Sequence, residues 1–441
     1  MTALTLDPAH TALVFFNMVK AYAYEAERHS LKPGVRSQVA ACRRMMQAAR
    51  EMGIPIIYVR PDHRPHGKDR ATALTDVALE HRHTHPVGGV SGEPAAEVID
   101  EIAPQPTDYQ IHKHRWSAFY QTELALSLQA RDVDTILLAG ASTEVGIGST
   151  AYAARDWDFS VVFLRDCLGS ARNSAASDYC ADTLFPHVGR VRTVDETIAL
   201  LQRGQPNEVG RTRTPPSTGG IETGPRETPV ADPQIDPRQA GLLFFDTMKG
   251  YAYERDLRTP RPEAASMLQT WARILRVARD LGMPVFYAQA NHRADGSDWS
   301  TAITDANRHR LEQAFGKLRL RPLLLQGERG GEIVDEIAPQ PDDYRILKHR
   351  WSAFHGTHLE LSLRTAGIKT IVLAGGDTGI GIISTAYAAR DRDFNLLVLR
   401  DACYSWIPGV HDFLMDVVFP RMSRVRSVEQ TIRLLGAQRQ A

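Results

Sequence analysis

The chain repeats itself, and the repeat decides what it can fold into. TALVFFNMVKAYAYE (residues 11–25) returns as AGLLFFDTMKGYAYE (240–254), EIAPQP occurs at 101–106 and 336–341, KHRWSAF at 113–119 and 348–354, and STAYAARD at 149–156 and 384–391. Order and spacing survive across the copies, so the repeated unit is a whole domain of about 200 residues. Solenoid repeats recur at roughly 20–50 residues. A chain of 441 residues also exceeds what one hydrophobic core supports. Two domains are therefore expected, at residues 1–203 and 237–441. Between them, residues 204–236 are rich in Pro, Gly and Thr without hydrophobic period, the composition of a tether.

Inside each copy, short apolar runs alternate with amphipathic ones. The expected strands are ALVFF, IPIIYVR, DYQIH, TILLAG, SVVFLR and VRTV, answered by GLLFF, MPVFYAQ, DYRIL, TIVLAG, NLLVLR and VRSV. Several are continuously apolar, as strands buried on both faces are. SQVAACRRMMQAAREMG and SMLQTWARILRVARDLG have helical spacing and stop at Gly. This alternation predicts an α/β fold with a mainly parallel sheet and helices on both faces. Ligands of such sheets bind beyond the carboxyl ends of the strands.

Lys plus Arg and Asp plus Glu number 52 each, which removes the electrostatic case for nucleic acid or an anionic membrane as partner. Cys42, Cys167, Cys180 and Cys403 lack paired spacing, so neither a disulfide framework nor a zinc site is suggested. The start of the chain does not have the pattern of a signal peptide, and no apolar run is long enough to cross a bilayer. A cytoplasmic protein with a small-molecule substrate is expected.

At the strand ends the two copies offer an acid or amide (Asn17, Asp246), a lysine (Lys113, Lys348) and a turn that opens a helix, GASTEVGIGSTAYAARD or GGDTGIGIISTAYAARD. The unpaired N–H groups of such a helix start favour negative charge. Each feature has a plainer explanation. An Asp closing a strand can equally cap the next helix, a lone Lys is commonly a solvated one, and the glycines can simply permit a tight turn.

The combination, in this order, resembles the isochorismatase-like, or cysteine hydrolase, superfamily. Its pattern is an Asp ending the first strand, a Lys shortly before a Ser-Ala-Phe segment, and a G-x-x-T-x-x-C turn. Asp246, Lys348, Thr378 and Gly381 match it in the second copy; Asn17, Lys113, Thr143 and Gly146 match it in the first. The resemblance implies three-layer α/β/α domains, each with a six-stranded, mainly parallel sheet. It also implies a departure, because glycine stands in both copies where most members carry the nucleophilic cysteine. Without a thiolate the thioester route is closed. True isochorismatases likewise have glycine there and use the Asp as an acid.

The resemblance thus makes the second copy a cofactor-independent hydrolase of a small metabolite, a vinyl ether or a carbonyl or amide compound. Asp246, Lys348 and Gly381 are its catalytic residues, and Thr378, Asp377, Gln289, His292 and Trp351 its substrate contacts. The first copy, with Asn17, Lys113, Thr143 and Gly146, is a degenerate site. Nicotinamidases in this superfamily hold a metal after the second strand. Here Asp62, His63 and His66 lack the spacing, and no metal is expected. A non-catalytic metabolite- or partner-binding protein and a non-hydrolytic enzyme catalysing elimination or isomerisation are the alternatives. An intramolecular pseudo-dimer is expected from the duplication, and further self-association is compatible with it.

Overall fold

The computed structural model describes residues 5–25, 30–80, 89–170, 174–203, 232–300, 302–306 and 325–436. Of the expected tether, residues 204–231 lie outside the described residues. No helix among the described residues is long and apolar enough to cross a membrane.

Each copy builds one six-stranded sheet. In the first these are β1 (Thr11–Phe16), β2 (Ile56–Pro61), β3 (Tyr109–Lys113), β4 (Thr135–Ala141), β5 (Ser160–Gly169) and β6 (Arg190–Arg192), ordered β3-β2-β1-β4-β5-β6. In the second they are β7 (Ala240–Phe245), β8 (Val285–Ala290), β9 (Tyr344–Lys348), β10 (Thr370–Gly376), β11 (Asn395–Tyr404) and β12 (Arg424–Arg426), ordered β12-β11-β10-β7-β8-β9. All ten neighbouring pairs are parallel. The expected α/β/α architecture is the one found. Four strands differ most in extent: β5 and β11 continue past their apolar runs, and β6 and β12 stop short, with Val194 and Val428 beginning helices instead of closing them.

Parallel strands need both faces covered. The helix Arg36–Glu51 lays Val39, Cys42, Met45 and Ala49 on Leu13, Phe15, Tyr58 and Leu137, and the helix Ala265–Asp280 lays Leu268, Trp271, Leu275 and Ala278 on Leu242, Phe244, Tyr287 and Val372. Gly53 and Gly282, at φ +68° and +67°, follow these helices as left-handed stops. Leu359 and Leu363 and most of the helix Ile383–Asp391 are also buried in the second unit.

The compact units do not follow chain order strictly. One comprises Met1–Arg70, Thr84–Gly224 and Thr301–Phe315; the other comprises Ala71–His83, Pro225–Ser300 and Gly316–Ala441. In the first unit Asp305 accepts from the Val191 N–H (2.8 Å) and from both terminal nitrogens of Arg192 (2.9 and 2.8 Å). In the second, Asp76 accepts from the Val425 N–H (2.8 Å) and Arg426 (2.7 Å). Both carboxylates satisfy backbone groups of an edge strand, which would otherwise be open to pairing with another chain.

Candidate active site

β1 and β7 end in residues with unusual backbones. Asn17 has φ +54° and Asp246 φ +48°, a left-handed conformation that Asn and Asp tolerate better than other side chains. In the second unit the backbone N–H of Asp246 donates to the Ala288 carbonyl (2.9 Å) and its carboxylate lies beside β8 and β9. The Lys348 ammonium donates to Oδ2 at 2.9 Å, and the Ala290 N–H donates to Oδ1 at 3.1 Å. Both partners are buried, Asp246 8% and Lys348 5% exposed. Burial pushes the Asp246 carboxyl above the usual carboxylate range, while Lys348 and the Ala290 N–H pull it back. Lys348 also lies 4.3 Å from the centre of the Phe245 ring.

The first unit keeps the frame without the pair. Lys113 sits over Phe16 at 4.6 Å and donates to the Arg115 carbonyl at 3.1 Å. The side-chain oxygen of Asn17 is buried with no hydrogen-bond partner among the described residues.

The turn after the fourth strand of each sheet is a single π-helical turn, Thr143–Ile147 or Thr378–Ile382, leading into Gly148–Asp156 or Ile383–Asp391. Gly146 and Gly381 lie inside these turns. A Cβ on Gly381 would overlap Cε1 and Cζ of Phe245, and one on Gly146 would overlap the same atoms of Phe16. Aromatic rings thus fill the space that a side chain at either position would need. The four cysteines are all buried and free; burial pushes the thiols of Cys167, Cys180 and Cys403 up, away from thiolate.

The other expected contacts fall into different settings. Thr378 is fully buried, and its hydroxyl has no partner among the described residues, whereas the Thr143 hydroxyl bonds Ser177 at 2.7 Å. Asp377 accepts from the Gly379 N–H (2.6 Å), the Ser405 hydroxyl (2.8 Å) and the Trp406 N–H (2.7 Å), which ties the end of β11 to the turn. The Gln289 side chain bonds the Gly331 carbonyl and Arg345, so its hydrogen bonds run elsewhere than to Asp246 or Lys348. Trp351 is half-buried in the segment after β9.

His292 is 9% exposed and packs its ring 4.6 Å from that of Trp299. Its Nδ1 lies 3.5 Å from Asp298, and Asp298 lies 3.6 Å from His349, the neighbour of Lys348. The first unit repeats this grouping. His63 and His114 place Nδ1 3.4 and 3.3 Å from the same oxygen of Asp69. Ligand atoms of His63, Asp69 and His114 all lie within 4.8 Å of one another. Nδ1 of His63 and Oδ1 of Asp69 are buried with no hydrogen-bond partner among the described residues. Spacings of this size suit two ligands of one tetrahedral ion at about 2.0–2.2 Å each, so these three residues fit a divalent cation. The sequence candidates Asp62, His63 and His66 share only His63 with this group. The signal that points to it is the recurrence in both copies of a His six residues before an Asp, with a second His directly after the lysine.

The chain matches the model of the isochorismatase domain over residues 11–196 and again over 240–430. It is 46% identical over 157 residues to the uncharacterized isochorismatase family protein YecD of Escherichia coli O157:H7, covering 36% of this chain and 77% of that protein. It is 30% identical over 200 residues to the ureidoacrylate amidohydrolase RutB of Caulobacter vibrioides (43% and 82% covered). A probable inactive nicotinamidase of Arabidopsis thaliana is 29% identical over 176 residues (40% and 85% covered). With its domain matched twice in tandem and most of the sequence covered, the chain belongs to the isochorismatase family.

Proposed function

We propose that the second unit hydrolyses a small metabolite, with Asp246 as general acid/base, Lys348 as its electrostatic partner, and neither a cysteine nucleophile nor a cofactor in the bond-breaking step. The observation that carries this is the buried 2.9 Å contact between Asp246 and Lys348 at the carboxyl ends of β7 and β9. A carboxyl held partly toward its neutral form by burial can give a proton to a leaving amine or to a vinyl ether carbon. The carboxylate left behind is stabilised by the Lys348 ammonium and the Ala290 N–H. Water supplies hydroxide to the substrate and returns the proton to Asp246.

Gly381 and Gly146 stand where the family places its cysteine, and the rings of Phe245 and Phe16 occupy the room a thiol would need. The backbone of the turn at Gly381 is assigned to developing negative charge. Thr378, whose hydroxyl has no partner among the described residues, His292, Gln289 and Trp351 are assigned to the substrate, and Asp377 to the wall that holds it. The first unit is read as non-catalytic: an amide at position 17 keeps the left-handed backbone but moves no proton. His63, Asp69 and His114 would hold a divalent ion there, supplying positive charge beside Lys113.

The test is turnover of a panel of isochorismate and small amides by wild type, Asp246→Asn and Asn17→Asp. Turnover by wild type and Asn17→Asp, and its loss in Asp246→Asn alone, is expected. Turnover that survives Asp246→Asn rejects the acid, and binding without turnover by all three makes the protein a pseudoenzyme.

A further inference from the structure

The second unit carries an exposed aromatic residue that its site, as described so far, does not use. Trp406 is 57% exposed, yet its backbone is fixed. Its N–H donates to Asp377, Ser405 donates to the same carboxylate, and the Ile407 N–H donates to the Ser405 hydroxyl at 3.1 Å. Three segments at the carboxyl end of the sheet converge on it. Asp377 opens the turn that contains Gly381. Tyr251, just beyond Asp246, places its ring 6.1 Å from the indole. Tyr404, at the end of β11, meets the indole edge-on at 5.1 Å. The Tyr404 ring lies against Gly376, where a Cβ would overlap it. Burial pushes the Tyr404 hydroxyl up, and the nearby Tyr251, Asp246 and Asp377 add to the rise.

The first copy has neither aromatic residue of this wall at the matching positions. Strand register pairs Gly376 with Tyr404 but Ala141 with Gly169, and the sequence has Ala171 after Ser170 where the second copy has Trp406 after Ser405. Acid and aromatic wall are thus present together in one copy and absent together from the other: Asp246, Tyr404 and Trp406 against Asn17, Gly169 and Ala171. A shared substrate accounts for two such differences falling together at one end of one sheet.

We propose that Trp406 is a specificity-determining platform of the second unit, selecting substrates whose reacting group is borne on a flat, conjugated ring. The inference rests on the reading of Asp246 and Lys348 as the working site. A planar ring stacks on the indole face with close contact over its whole area, while a puckered saturated ring touches it at a few atoms. A fixed backbone and the flanking rings of Tyr251 and Tyr404 restrain the indole, so little conformational freedom is lost on binding.

Isothermal titration of the full chain with benzamide and with cyclohexanecarboxamide tests this, since the probes differ in planarity and little in size. Wild type is expected to bind benzamide about fivefold more tightly. Trp406→Ala brings the two affinities together and Trp406→Phe keeps part of the preference. Being exposed, position 406 tolerates both changes, which an unchanged thermal melt verifies. Asp246→Asn is expected to keep the preference while abolishing turnover of the substrate panel. Wild type that binds neither probe or both equally, or a preference that persists in Trp406→Ala, overturns the platform. If the preference behaves as expected while Asp246→Asn still turns substrate over, the acid assignment fails and the platform stands.

Discussion

The two units hold the same backbone at the end of their first strands and differ in what it carries. Both place a left-handed residue there, both follow it across the sheet with a buried lysine over a phenylalanine ring, and both close the facing turn with a glycine pressed on that ring. Exchanging Asp for Asn at this point keeps the conformation and deletes the ion pair. Lys113 donates instead to a backbone carbonyl, and the Asn17 oxygen has no hydrogen-bond partner among the described residues. The comparison teaches that the strand-end backbone and its packing persist without the ion pair. The Asp246 carboxylate is a separable addition.

That comparison can be broken most sharply by substitution at its two centres. Asp246→Asn is expected to lower kcat/KM by about 10²–10⁴-fold, whereas Asn17→Ala leaves it within about twofold, as initial rates on any turned-over panel member would show. Equal losses would mean that the units share one chemistry. A second probe places a cysteine in the turn that follows β10. Gly381→Cys drives a side chain into Phe245 and should cost about 1–3 kcal/mol in urea unfolding, and the same change made in a Phe245→Ala background should cost much less relative to that background. A well-tolerated Gly381→Cys would mean that the ring is no barrier to a thiol. A smaller effect contrasts the edge-strand carboxylates. Asp305→Ala should cost about 1 kcal/mol. Asp76→Ala should cost less, because Arg426 retains Asp232 at 2.6 Å and burial already pushes the Asp76 carboxyl up.

The duplication, the strands and the residues at the strand ends are legible in the sequence because they are written in local pattern. Continuous apolar runs mark strands with two covered faces, and the order Asn or Asp, Lys, turn glycine recurs in the two copies. What is not legible depends on contacts between distant segments. That Asp298 meets His349, that Asp377 is engaged by Ser405 and Trp406, or that Phe245 fills the space above Gly381 depends on how strand ends are brought together, and no periodicity reports it. Asp76 illustrates the same limit. It lies in the first copy by sequence, yet its carboxylate satisfies the edge strand of the second unit.

The pH dependence of kcat/KM for wild type and Lys348→Met bears most directly on the proposed acid. Burial places the Asp246 carboxyl above its ordinary value of 3.8 and Lys348 opposes that rise. An acid works in its protonated form, so wild-type activity should be full below this raised pKa and fall as pH climbs through it. Removing the ammonium should move the midpoint higher still. A profile whose midpoint stays put in Lys348→Met, or whose activity rises through that range, would contradict Asp246 as the group that delivers the proton.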